Sequence, residues 1–183
     1  MRLTRRLFLG LGGAALAAAL ALAAANLVLG DLNQDEGWYL YAARLVASGR
    51  LPYRDFAFTQ GPVMPLVYAA FEPLTQAAGL AGGRLATALL GLAASLAAAG
   101  LARRLAAPGW RGSAALCALI LASVNVYHSY YFSVVTTYSL TDLLLTGGFW
   151  ILAHAWTSRR AGVWFAAAGA LMALAAGVRS SAG

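Results

Sequence analysis

The sequence has no lysine and only six acidic residues among its 183 positions, so that charged residues make up 10% of it. Hydrophobic residues make up 61%, and the mean hydropathy is +0.71. An ordinary soluble domain has about 25% charged residues, and this composition excludes that class. It predicts an all-α, polytopic helical membrane protein.

Cysteine is almost absent. The single Cys117 lies within an apolar run, which excludes a disulfide framework and a thiolate metal site. The thirteen arginines give a net charge of +7, which in a soluble protein would suggest nucleic-acid binding. Here they cluster at the ends of apolar runs, as topology signals do, and we expect no nucleic-acid partner.

Five apolar runs are predicted to cross the membrane, whose hydrocarbon core is about 30 Å thick. The predicted spans are 7–30, 84–105, 113–130, 138–156 and 162–178. The first follows the basic segment MRLTRR and is predicted to be an uncleaved signal anchor, with a cleaved signal peptide as the alternative.

Residues 63–83 are apolar but are interrupted by Pro65, Glu72 and Pro73. An unpaired Glu in hydrocarbon is costly, which favours a re-entrant or interfacial helix over a span. The distribution of arginines agrees, because five spans leave eight arginines on the cytoplasmic side and five outside. A sixth span would give six against seven. The eight predicted cytoplasmic arginines are Arg2, Arg5, Arg6, Arg103, Arg104, Arg111, Arg159 and Arg160.

The predicted organisation has three parts: a first transmembrane helix at 1–30, an extracytoplasmic loop with two juxtamembrane segments at 31–83, and a four-helix transmembrane portion at 84–183. The N-terminus is predicted to be cytoplasmic, in a plasma or inner membrane. The loop is the long polar segment of the chain. It holds four of the six acidic residues, Asp31, Asp35, Glu36 and Asp55.

A helix is predicted to begin within the loop. Asn33 followed three residues later by Glu36 is a capping box, and Gly49 is a C-terminal stop signal. Trp38, Tyr41 and Leu45 follow at helical spacing, as in a helix lying on a membrane surface. By themselves, Asp35 and Glu36 have two interpretations: acidic residues that complement the helix dipole, or a catalytic or metal-binding pair.

The loop also resembles a known family. The matching motifs are Asp35-Glu36-Gly37-x-Tyr39, Ala43-Arg44, Gly49-Arg50-Leu51-Pro52-Tyr53-Arg54-Asp55, Gln60-Gly61-Pro62 and Pro65-Leu66-x-Tyr68. In this order they resemble the first extracytoplasmic loop of integral-membrane glycosyltransferases of the C superfold, in particular the protein O-mannosyltransferase, aminoarabinose transferase and Rgt-like group. Weaker similarity covers 137–149 and Gly177-Val178-Arg179. Such enzymes usually have further spans, so the resemblance implies an N-terminal portion.

The resemblance implies transfer of a sugar from a polyprenyl-phosphate carrier to a lipid, glycan or protein acceptor outside the membrane. Asp35 matches the catalytic acidic position, where it would act as general base, and Glu36 would assist it or cap the helix. The carrier phosphate would be bound by arginines, for which contact with membrane lipid headgroups is the alternative. The implied substrate-binding residues are Tyr39, Arg44, Arg54, Asp55 and Gln60, with Arg50 as a further phosphate ligand.

No cofactor follows from the resemblance, and a divalent metal stays open as an alternative. A competing hypothesis is a non-catalytic membrane subunit or a transporter fragment. Outside the loop, His128 lies in an aromatic cluster typical of a membrane interface. Asp142 lies near the outer end of a predicted span, where an acid is expected to be paired or to face a polar cavity.

Overall fold

A computed structural model describes the backbone of residues 2–179 and the side chains of residues 6–179. The side chains of Arg2 and Arg5, and the C-terminal residues 180–183, lie outside this part. The described residues form nine α-helices and no strand. The helices are α1 Arg2–Leu29, α2 Gln34–Ala47, α3 Val63–Tyr68, α4 Glu72–Ala78, α5 Leu80–Leu105, α6 Arg111–Ser123, α7 Val126–Tyr131, α8 Tyr138–Ala155 and α9 Ala161–Val178.

Three of these helices are long and apolar enough to cross a membrane, as counted over the described residues: α1 from Arg6, α5 and α9. They coincide with the first, second and fifth predicted spans. The fourth predicted span corresponds to helix α8, which is 18 residues long but carries Asp142 and His154. A membrane protein is therefore supported by three helices of spanning character.

The third predicted span, 113–130, is not one helix. Helix α6 ends at Ser123 and α7 begins at Val126. The break has a local cause in Asn125, whose side-chain oxygen accepts hydrogen bonds from the backbone N–H groups of Tyr127 at 2.9 Å and His128 at 3.3 Å. An Asn at this position starts a new helix by satisfying its first donors. The third predicted span therefore consists of two helices rather than one continuous helix.

The segment 63–83 is broken into short pieces. Helices α3 and α4 are six and seven residues long and are joined by a 3₁₀ turn. Gly79 has a φ of +57°, a backbone conformation that favours glycine, and the chain turns there into α5. A Cβ at Gly82 would overlap with the carbonyl group of Leu74, so α4 and the start of α5 pack backbone to backbone. Within this segment, no helix reaches spanning length before α5 begins.

Helix α2 matches its predicted ends. The side chain of Asn33 accepts a hydrogen bond from the first turn, and Glu36 Oε2 accepts one from the backbone N–H of Asn33, so the predicted capping box is confirmed. The helix ends at Ala47, and Gly49 follows with a φ of +87°. The buried face of α2 contributes Tyr39, Ala42 and Ala43 to the main hydrophobic cluster.

The longer helices pack around α5, which contacts α6 and α8, while α8 also packs on α9. Small residues of α5 accept large side chains: a Cβ on Gly91 would meet Phe132, and a Cβ on Gly100 would meet Trp150. The bundle has two distinct ends. We call the loop end the one where α1 and α9 end and α5 and α8 begin. The arginine end is the one where α5 and α8 end and α6 and α9 begin.

Candidate functional site

The loop end is built around a buried ion pair between Glu36 of α2 and Arg84 of α5. Arg84 Nε donates to Glu36 Oε1 at 2.9 Å, and Arg84 Nη2 donates to Glu36 Oε2 at 2.7 Å. The side chains are only 1% and 3% exposed, respectively. This two-point geometry is the strong form of an Arg–carboxylate contact. It fixes the start of α2 against the start of α5.

Each partner of the pair also binds backbone groups from other segments. Arg84 donates to the carbonyl oxygens of Asn26, Gly30 and Asp31 at 2.7–3.1 Å, and so satisfies groups at the C-terminus of α1. Glu36 Oε1 accepts a hydrogen bond from the N–H of Val135 at 2.9 Å. One ion pair therefore ties together α1, α2, α5 and the segment that precedes α8.

The pKa of Glu36 reflects this environment. Burial alone would raise it, but the hydrogen bonds from Arg84 and from the backbone N–H groups of Val135 and Asn33 more than compensate. The net result is a pKa below the ordinary value of 4.5. Glu36 is thus ionised at neutral pH, and both of its oxygens are engaged. The geometry favours the capping role over the role of a second catalytic group.

Asp35 has a different position, although it is the adjacent residue. Its side chain is exposed at the first turn of α2, and its backbone N–H is held by the Asn33 side chain at 2.9 Å. Burial raises the pKa of Tyr39, and the negative charge of Asp35 raises it further. Arg179 and Tyr138 also act electrostatically on Tyr39. Tyr39 is therefore the residue that interacts both with Asp35 at the start of α2 and with the end of α9 and the start of α8.

Two glycines hold the end of α9 in this position. A Cβ on Gly61 would overlap with the carbonyl group of Gly177, and a Cβ on Gly177 would lie 2.7 Å from Val63 Cγ2. The chain before α3 thus packs directly on the last turn of α9. Next to it, the guanidinium carbon of Arg179 lies 4.6 Å from the ring centre of Tyr138, in cation–π contact.

Tyr138 also forms part of a cavity of about 330 Å³ at the same end of the bundle. The cavity contains both of the isolated polar residues noted in the sequence, His128 and Asp142. A buried hydroxyl of its wall, Thr141 Oγ1, has no hydrogen-bond partner among the described residues. The remaining lining residues are Tyr127, Tyr131, Phe132 and Leu145. Aromatic faces beside polar groups are the kind of surface on which small polar ligands are held.

One of the residues implied to bind substrate, Arg44, lies away from Asp35. Arg44 follows Asp35 by nine positions, which at about 100° per residue puts it on the opposite face of α2. There its Nε lies 3.9 Å from Glu72 Oε1. Arg44 and Asp35 therefore face different surroundings on the two sides of α2.

Arg54 and Asp55 bind each other. Arg54 Nη2 lies 2.8 Å from Asp55 Oδ2, which also accepts a hydrogen bond from the backbone N–H of Leu51 at 2.7 Å. Both contacts lower the pKa of Asp55 and stabilise the turn at 51–55. The backbone carbonyl of Gln60 accepts a hydrogen bond from the hydroxyl of Tyr53. The described contacts of Asp55 are thus within the turn at 51–55.

Tyr39 is 7% exposed and lies in the hydrophobic cluster with Trp38 and Phe58. Its ring packs inside the protein one turn after Asp35 and is not available to solvent. Among the described residues, no group of three or more His, Cys, Asp or Glu side chains lies close enough together to hold a metal ion.

The residues that the sequence interpretation missed are Arg84 and Tyr138. Arg84 carried a signal, because an arginine within an apolar helix is expected to have a buried partner. Tyr138 carried none, since tyrosines are common at membrane interfaces.

No protein-family model, curated protein or solved structure matches this chain.

Proposed function

We propose that this chain is a membrane glycosyltransferase that uses a polyprenyl-phosphate sugar and acts at the loop end of the bundle. The observation that carries the proposal is the exposed side chain of Asp35 at the first turn of α2. It is an exposed carboxylate at the anchored start of α2, and Tyr39 in the next turn of this helix interacts electrostatically with Asp35, Arg179 and Tyr138. Tyr138 in turn lines the aromatic cavity.

The chemistry assigned to Asp35 is general-base catalysis. Its carboxylate would accept the proton of an acceptor hydroxyl while the hydroxyl oxygen forms a bond to the anomeric carbon of the sugar. The bond between that carbon and the phosphate oxygen breaks, and the polyprenyl phosphate leaves with the electron pair. The base must have a fixed position for this step, and the Glu36–Arg84 pair holds the turn that carries Asp35.

Arg179 takes the role first given to Arg44 and Arg54. A guanidinium group binds phosphate oxygens in a two-point geometry and would stabilise the charge of the departing phosphate. Arg179 follows the last turn of α9, where its guanidinium carbon lies 4.6 Å from the ring centre of Tyr138. The aromatic rings of the neighbouring cavity suit the apolar face of a sugar ring.

The proposed topology has five spans, with α6 and α7 together as the third and α8 as the fourth. The loop end would be extracytoplasmic and the arginine end cytoplasmic, in an inner or plasma membrane. Exposed Arg103, Arg111, Arg159 and Arg160 at the arginine end support this orientation.

The orientation can be tested with single cysteines. In a Cys117→Ser background, a cysteine at the exposed Ser48 reports the loop end, and one at the exposed Ala107 reports the arginine end. A membrane-impermeant maleimide applied to intact cells should label only the Ser48→Cys protein. Labelling of the Ala107→Cys protein instead would reverse the topology and remove the proposal, since its acceptors lie outside.

The activity is tested with Asp35→Asn. Membranes with wild-type protein should release polyprenyl phosphate from one of a panel of polyprenyl-phosphate hexoses and pentoses. Loss of a general base should lower this rate by about 10²- to 10⁴-fold. Asp31→Asn is the matched control, because Asp31 is exposed beside the same turn and only its backbone carbonyl is used. Equal rates for Asp35→Asn and wild type would favour the non-catalytic membrane subunit.

A further inference from the structure

A second cavity, of about 620 Å³, lies between α2 and α4 on the face of α2 opposite to Asp35. Its charged groups are Arg44 and Glu72, and the other lining residues are Gly37, Leu40, Tyr41, Thr75 and Gln76. It is separate from the proposed catalytic site, and nothing in the proposed reaction uses it.

Glu72 makes this cavity unusual. Its side chain is 6% exposed, so the carboxylate is largely removed from water. One oxygen, Oε1, accepts a hydrogen bond from Gln76 Nε2 at 3.4 Å and lies 3.9 Å from Arg44 Nε. The other oxygen, Oε2, is buried and has no hydrogen-bond partner among the described residues. A buried carboxylate oxygen without a donor is unfavourable, and a ligand that supplies one would be bound.

Arg44 has hydrogen-bond donors without a close acceptor. Its side chain is 73% exposed, and its contact with Glu72 at 3.9 Å is long for an ion pair. Most of its guanidinium donors therefore face water at the mouth of the cavity and suit a phosphate group. A ligand of this cavity would therefore have a hydrogen-bond donor for Glu72 and, a few ångströms away, an anionic group for Arg44.

The position of the cavity indicates the source of such a ligand. Helices α2 to α4 connect α1 to α5, which are both long and apolar enough to span a membrane. Tyr41, Leu66 and Leu74 of these connecting helices are exposed. Exposed apolar side chains beside the ends of spanning helices are typical of contact with the membrane interface.

We propose that this cavity binds the phosphoethanolamine headgroup of a membrane phospholipid. The ammonium group donates to Glu72 Oε2, and the phosphate accepts from Arg44. An ammonium group fits better than a neutral hydroxyl because it offsets the full charge of a buried carboxylate as well as supplying the missing hydrogen.

Progressive methylation of the headgroup tests this assignment. Phosphatidylethanolamine, its N-methyl and N,N-dimethyl derivatives and phosphatidylcholine share the phosphate and the charge, but phosphatidylcholine has no N–H donor. Titrated into the detergent-solubilised protein and followed by native mass spectrometry, phosphatidylethanolamine should bind about tenfold more tightly than phosphatidylcholine, as expected for one charge-assisted hydrogen bond.

Variants separate the two halves of the site. Glu72→Gln should reduce the preference for phosphatidylethanolamine to less than about twofold, because the charged acceptor is gone. Arg44→Gln should weaken both lipids equally and leave their ratio unchanged. Arg54→Gln removes an exposed arginine outside the cavity and should change neither. Arg44 is largely exposed, so its variant gives a result even where Glu72→Gln is poorly folded.

Two results would overturn the proposal. One is equal binding of phosphatidylethanolamine and phosphatidylcholine to wild type, and the other is an undiminished preference in Glu72→Gln. Water-soluble phosphoethanolamine distinguishes the sources: tight binding of this compound without competition by the lipid would assign the cavity to a soluble ligand instead.

Discussion

Arg84 at the loop end and the arginines of the arginine end lie in opposite environments. At the loop end, Arg84 is 3% exposed and binds one carboxylate and three backbone carbonyls. At the arginine end, Arg103, Arg111 and Arg160 are exposed to solvent. A buried arginine must have its partners in fixed positions, whereas an exposed one keeps its hydration. The loop end is therefore held in a defined geometry, and the arginine end contributes charge.

The two environments suit two different roles, namely fixing the geometry of a site and carrying a charge that sets membrane topology. The general base that we propose at Asp35 would need a fixed position, and the buried pair anchors the turn that carries it. A topology signal needs only the sign of its charge on one side of a membrane. The following predictions test the contrast, beginning with the largest expected effect.

Breaking the buried pair should strongly destabilise the protein. Arg84→Ala leaves the charge of Glu36 buried without a partner and should lower the free energy of unfolding by about 3–5 kcal/mol. Thermal unfolding of the solubilised protein measures this. Arg103→Gln at the arginine end is the matched control and should change the stability by less than about 0.5 kcal/mol. Similar losses for both variants would show that the ends do not differ.

The glycine contact at the loop end should be the next most sensitive. Gly61→Ala puts a methyl group into the backbone of Gly177, and the strain should cost about 1–3 kcal/mol. Gly162→Ala, at the start of α9 near the arginine end, has open space around the new methyl group. That control should be neutral or slightly stabilising. Because the Gly61 contact also positions Arg179, Gly61→Ala should reduce transfer activity in the fraction that remains folded.

Acid should weaken the loop end through Glu36. Its pKa is below 4.5 in the folded protein, so the unfolded chain takes up this proton first as the pH falls. The contribution of Glu36 is thus complete at neutral pH and is lost below 4.5, as the pH falls through the folded pKa. Unfolding temperatures measured across this range should decline less steeply in Glu36→Gln than in wild type. Parallel curves would remove Glu36 as a source of acid sensitivity.

The exposed pair Arg54–Asp55 should have the smallest effect on stability. Charge pairs in water contribute little, so Arg54→Gln should leave the free energy of unfolding almost unchanged. Asp55→Asn should cost more than Arg54→Gln, because Asp55 also accepts the backbone N–H of Leu51. A thermal unfolding series of both variants checks this order. Equal effects would show that the backbone contact does not matter.

Local features were predicted well from the sequence. The start and end of α2 follow from Asn33, Glu36 and Gly49, because capping depends on residues three or four positions apart. The last residue of α5 and both ends of α9 agree with the predicted spans to within one residue, whereas α5 begins at Leu80 rather than at residue 84. The break after Ser123 was missed, since Asn125 in an apolar context has the composition of a span and its capping geometry appears only with the fold.

The candidate site was predicted less well. Motif order placed Asp35 and Arg44 in one site, yet the helical repeat alone separates them onto opposite faces of α2. Glu36 was given a choice of two roles, and the choice depended on Arg84, which is 48 positions away. The link between Gly61 and Gly177 could not be read from either motif alone.

The sequence by itself determined the membrane character, the helical class and the uneven distribution of arginine, because these depend on composition and on spacing within one helix. Only the tertiary structure decided which charges are buried together and which face of α2 packs against the rest of the protein. The physical reason is that a buried charge is stabilised by whichever groups the fold brings within hydrogen-bond distance. In this chain the N–H of Val135, 99 positions from Glu36, is one of them.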